Sequence, residues 1–77
     1  MTHDPEALLT GALQPTEHGR LLAAQDLGLS VPRMMQEALR LLGDPAVEAG
    51  HPLLVRRLRR LVDQRRVARS GRLARHG

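Results

Sequence analysis

Hydrophobic positions along this chain come in short blocks with helical spacing, cut apart by proline and glycine. Ala7, Leu8, Leu9, Ala12 and Leu13 form the first block. Asp4-Pro5-Glu6 precedes it with an N-cap, a first-turn proline and an acid near the positive end of the helix dipole, and Pro15 ends it. A second helix is predicted from about Thr16 to Leu27, with Gly28 as its stop. Gly19 lies inside that segment and weakens its intrinsic helicity.

The third block is the best defined. Ser30 caps, Pro32 sits in the first turn and Gly43 terminates. At 100° per residue, Val31, Met34, Met35, Ala38, Leu39, Leu41 and Leu42 share one arc of about 160°. Arg33, Gln36, Glu37 and Arg40 fill the opposite side, where Arg33–Glu37 and Gln36–Arg40 have i,i+4 spacing. Asp44-Pro45 then opens a short turn or single helical turn that Gly50 ends, and Pro52 starts a fourth helix. Its Leu54, Val55, Leu58, Leu61 and Val62 fall within about 120° of one another. Arg56, Arg59 and Arg60 project from the other side, Arg57 lies at the border, and Asp63 has i,i+4 spacing to Arg59.

Beyond Arg65 the pattern changes. Arg66-Val67-Ala68-Arg69, Ser70-Gly71 and Arg72-Leu73-Ala74-Arg75 read as strand, turn and strand of a short hairpin. The rival reading is a frayed helix with a disordered basic tail, because two such short strands are marginal alone. The hairpin is preferred. The expected fold class is therefore mainly α, with three to four short helices and a C-terminal β-hairpin. Residues 1–77 form one small domain in this reading, with 1–4 and 76–77 as mobile ends.

Charge changes the picture most. Of twelve arginines, Arg56, Arg57, Arg59, Arg60, Arg65, Arg66, Arg69, Arg72 and Arg75 lie beyond residue 50, against Asp63 alone, so that part carries +8. Residues 1–50 hold Arg20, Arg33 and Arg40 against seven acids, or −4. The net +4 hides a dipolar chain, and a field this lopsided steers an anion toward one end. Composition sets the other bounds. With no Phe, Tyr or Trp the core must be Leu, Val, Ala and Met, and at 77 residues it is small. With no Cys there are no disulfides or thiolate sites. The absence of Lys fits both a GC-rich coding sequence and a use for guanidinium chemistry. No apolar run approaches the roughly 20 residues of a membrane span, and the N-terminus lacks the pattern of a signal peptide, so a soluble cytoplasmic protein is expected.

Helices followed by a basic hairpin resemble a winged helix-turn-helix module over residues 16–76. The segment from His51 to Val67, in which Leu58 and Leu61-Val62 lead into Arg66-Val67, is similar to the third helix and first wing strand of such domains. The arrangement also resembles small uncharacterised bacterial domains. A second register is open: Leu21 to Ser30 resembles the first helix and turn of a helix-turn-helix, with Ala24 four residues before Gly28 and residues 31–42 as recognition helix. Glu37 counts against it, since it stands where that motif places a buried aliphatic residue. The resemblance implies DNA binding by the Arg-rich helix and wing.

Known chemistry finds little footing. His3, His18, His51 and His76 are scattered with no metal-ligand spacing, Ser30 and Ser70 have no neighbouring base, and the glycines form no phosphate-binding loop. Neither an enzyme nor a cofactor is expected. The preferred function is a nucleic-acid-binding module in which Arg56, Arg57, Arg59 and Arg60 contact backbone from the helix and Arg69, Arg72 and Arg75 from the wing. The alternative is a protein-interaction or accessory module that takes an acidic partner or forms a homodimer through Met34, Met35 or Leu41. The exposed surface of residues 31–42 separates the two: an uncovered methionine stripe favours self-association, whereas a covered stripe with the arginines in one convex patch favours nucleic acid. A membrane surface is disfavoured because the apolar face of residues 52–64 is needed for the core.

Overall fold

The computed structural model describes residues 3–76, with side chains described as far as Arg65. Among these residues the chain forms five helices and no strand: α1 (Pro5–Ala12), α2 (Glu17–Leu27), α3 (Val31–Leu41), α4 (Pro45–Gly50) and α5 (Pro52–His76). Short polar side chains start four of them. Asp4, Thr16, Ser30 and Asp44 are N-caps, and each side chain accepts a hydrogen bond from a backbone N–H of the first turn. Asp4, expected in a mobile end, is thus tied to α1; residues 1, 2 and 77 lie outside the described part. Gly28 ends α2 in the left-handed region, with φ 72°, and the N–H of Leu29 donates back to the Ala24 carbonyl at 2.9 Å. His51 breaks α4 from α5 because it precedes Pro52, which disfavours helical backbone at that position.

The C-terminal hairpin is corrected. Residues 65–76 continue α5 as one helix of 25 residues, about 37 Å long at 1.5 Å per residue. Two strands of four residues have no third strand to join, whereas a helix already nucleated by residues 52–64 extends at one hydrogen bond per residue fixed. Arg, Ala and Leu also favour helix, and together they carry it through Ser70-Gly71. The expected count of three to four helices also falls short. Residues 45–50, read as a short turn or single helical turn, form α4, and the winged-helix resemblance loses its wing.

The core has two linked parts. Leu9, Ala12, Ala38, Val47, Val55 and Leu58 form the larger, and Leu8, Ala24 and Met34 the smaller, with Met35 and Leu41 packed against both. α1 is the central element, packing on α2, α3 and α5, while α4 packs on α5. This helix precedes the region of the winged-helix resemblance, yet it supplies Leu8, Leu9 and Ala12 to the core. Its Gly11 permits the close approach: a Cβ there would stand 2.7 Å from Met34 Sδ and 3.2 Å from Ala23 Cβ. No described helix is long and apolar enough to cross a membrane.

Candidate nucleic-acid interface

The basic face of α5 is set by what the helix buries. Val55 and Leu58 are fully buried, and Leu54, Leu61 and Val62 half-buried, so the helix lies with this stripe against the core. Arg56, Arg57, Arg60 and Arg65 are left exposed. The periodicity anticipates the exposure of Arg56, Arg57 and Arg60, with two differences elsewhere.

The first is Arg59. Its guanidinium is turned to the fold: Nη1 donates to Glu48 Oε1 at 3.3 Å, and Nη2 donates to the Leu42 carbonyl at 2.9 Å. It thereby ties α5 to α4 and to the C-terminal end of α3, where that carbonyl has no partner within the helix. Asp63, expected to hold Arg59 at i,i+4, forms no ion pair among the described residues. The second is Arg20, which the sequence reading did not select. Arg57, Arg60 and Arg65 line a groove of about 440 Å³ together with Arg20, Gln14, Gln64 and the apolar Leu13, Pro15 and Leu61. No acid lines it. The groove lies between the α1–α2 turn and α5.

Local chemistry explains how Arg20 gets there. Pro15 ends α1, and Thr16 caps α2 by accepting from the Gly19 N–H at 2.9 Å. Gly19 keeps the turn tight, since a Cβ would stand 3.1–3.3 Å from Thr16 Oγ1 and from the Oε1 and Cβ of Gln14. The chain thus folds back so that Arg20 Nη1 donates to the Gln14 carbonyl at 3.0 Å. Arg20 is half-buried and anchored at one nitrogen. Nothing in the local pattern of residues 16–28 signals this, because Arg20 meets Arg57 and Arg60 only through the α1–α2 turn. Arg69, Arg72 and Arg75 lie on the helical backbone of α5 rather than on a wing, and their side chains lie outside the described residues.

Other surfaces differ in charge. A depression between α1 and α2 is lined by Asp4, Glu6 and Asp26 and by no arginine. On α3, Glu37 pairs with Arg33 at 3.3 Å and Arg40 at 3.6 Å, which leaves that helix nearly neutral outside. The pair at i,i+4 matches the sequence, while Arg40 takes an i,i+3 partner in place of Gln36. The α2–Gly28-Leu29-Ser30–α3 connection is a helix, a three-residue turn and a helix, with Ala24 fully buried at its inner side. The methionine stripe is covered in part: Met34 is fully buried, Met35 and Leu41 are half-buried, and Arg57, Arg60 and Arg65 line a groove rather than one convex patch. Among the described residues, no three His, Asp or Glu side chains form a group that would hold a metal ion.

The family described as "Protein of unknown function (DUF3263)" matches residues 19–70. That span begins beside Arg20, takes in Arg57, Arg60 and Arg65, and ends within α5; it does not include α1. No curated protein and no solved structure matches the chain.

Proposed function

The chain belongs to the DUF3263 family, and we propose that it is a small non-enzymatic module that binds nucleic-acid backbone through the arginines of α5. The observation that carries this reading is a long helix whose solvent side bears Arg56, Arg57, Arg60 and Arg65, while its buried stripe fixes it to the core. Guanidinium groups held in this way meet phosphates without unfolding the domain that presents them. The helical backbone of residues 66–76 extends the same charged segment, with positions 65, 69 and 72 at i, i+4 and i+7. Two further points support the reading. Met34, within the methionine stripe, is fully buried, which leaves less of that stripe for an apolar homodimer interface. The near-neutral outer side of α3 favours α5 over a helix-turn-helix recognition helix as the phosphate-binding element of this reading.

Phosphate contacts carry no base information, so binding through the backbone is expected to be independent of sequence. Fluorescence anisotropy with two labelled duplexes of unrelated sequence tests this. Equal affinity for both supports backbone recognition; no binding at low salt removes duplex DNA as the target.

A second reading has one observation in its favour. The acidic depression at Asp4, Glu6 and Asp26 is complementary in charge to the arginine groove. Head-to-tail association of copies would join the two, and sedimentation velocity at low salt would reveal it as a concentration-dependent increase in mass.

A further inference from the structure

The groove between the α1–α2 turn and α5 has a charge balance that the fold itself does not answer. Arg20, Arg57, Arg60 and Arg65 line it with no acid among them. Among the described residues, the ion pairs engage Arg33, Arg40 and Arg59 and none of these four. Like charges gathered around one concavity repel and raise the local potential, which favours occupation by a counter-charge. The groove's volume, about 440 Å³, is in the range of small-molecule sites and exceeds what one monatomic ion fills. Arg20 is the distinctive member. It comes from a different element, and its hydrogen bond to the Gln14 carbonyl holds it at the groove that the α5 arginines also line. Gln14 and Gln64 add neutral amide groups at the same place.

We propose that this groove is a seat for phosphate oxyanions, held between Arg20 on one wall and Arg57, Arg60 and Arg65 on the other. Guanidinium forks match phosphate oxygens in pairs, and opposed forks clamp a phosphate more specifically than a row of arginines along one helix. The source of the phosphate is either a nucleic-acid backbone, in which case the inference rests on the reading above, or a free oligophosphate. In both cases Arg56 and Arg59 lie outside the seat: neither lines the groove, and Arg59 is bound to Glu48 and Leu42.

The test uses the full chain and two probes, inorganic tripolyphosphate by isothermal titration calorimetry and a mixed-sequence DNA duplex by anisotropy. Wild type is compared with Arg57→Gln/Arg60→Gln, with Arg20→Gln and with Arg33→Gln on α3, outside the groove, and thermal melts establish that each is folded. The seat predicts saturable tripolyphosphate binding that weakens about tenfold or more in Arg57→Gln/Arg60→Gln and in folded Arg20→Gln, and about twofold or less in Arg33→Gln. If the duplex shows the same ranking, the backbone is the source; if it does not bind while tripolyphosphate does, free oligophosphate is the source and only the nucleic-acid reading falls. Duplex binding that all variants weaken alike, with no saturable tripolyphosphate binding, overturns the seat and leaves the nucleic-acid reading intact. Binding of neither probe overturns both.

Discussion

At the scale of single residues, the arginines of this chain have different tasks despite their shared chemistry. Arg59 spends its guanidinium on Glu48 and the Leu42 carbonyl, so its loss is felt first in stability. The ion pair is about half exposed on both sides and contributes little, but the carbonyl loses a charged donor. Arg59→Ala is expected to destabilise by about 1 kcal/mol in a urea melt, with less effect on duplex affinity than Arg57→Ala or Arg60→Ala. Gly11 sets a second residue-level condition. A methyl group there presses on Met34, which is fully buried and has no solvent to move into. Overpacking costs about 1–3 kcal/mol, and the helix propensity gained over glycine returns at most about 1 kcal/mol. Gly11→Ala should therefore lower the melting temperature, and an unchanged or raised value would show that the α1–α3 contact is looser than described.

At the scale of elements, the legible parts were those governed by local rules. Asp4, Thr16, Ser30 and Asp44 stand where caps are needed, and each does cap. The apolar stripe of residues 54–62 buries the positions its period indicates, and α3 hides Met34 and Ala38 on its inner face while Leu39, at the edge of the predicted arc, is 43% exposed. What was not legible depends on how elements extend or meet. The Ser70-Gly71 pair resembles a hairpin turn only when residues 66–75 are considered apart from the helix leading into them; once α5 is formed, adding turns costs less than starting a two-stranded sheet. Replacing Gly71 by Ala separates these readings experimentally. A continuous helix gains about 1 kcal/mol of local helix propensity, seen as increased ellipticity at the helical minimum, whereas a hairpin turn would lose its glycine and the signal would not rise. The centrality of α1 was hidden for a different reason. Leu8, Leu9 and Ala12 look like the face of any short amphipathic helix, and only the packing shows that this face closes the core against α3 and α5. Arg20 belongs to the same class, since its place in the groove follows from the fold of the Pro15–Gly19 turn.

At the scale of the whole molecule, the separation of charge along the chain is also present in space. The depression at Asp4, Glu6 and Asp26 and the groove at Arg20, Arg57, Arg60 and Arg65 are of opposite sign and adjoin at Gln14, which lines both. One half of the sequence does not wholly neutralise the other. Arg59 and Glu48 join the two halves, while Arg56, Arg57, Arg60 and Arg65 form no ion pair among the described residues. Such a field acts over a Debye length, roughly 8 Å at physiological salt, so association with a polyanion is expected to be fast at low salt and strongly screened. The measurement that bears most directly on this account is duplex affinity by anisotropy between about 50 and 200 mM salt, for wild type and Arg57→Gln/Arg60→Gln. If four α5 arginines neutralise phosphates, the slope of log affinity against log salt is about −3.6, a loss of roughly a hundredfold over that range, and the double variant shows a slope shallower by about 2. A wild-type slope near zero, or one that the variant leaves unchanged, would contradict the assignment of α5 as the phosphate-binding element.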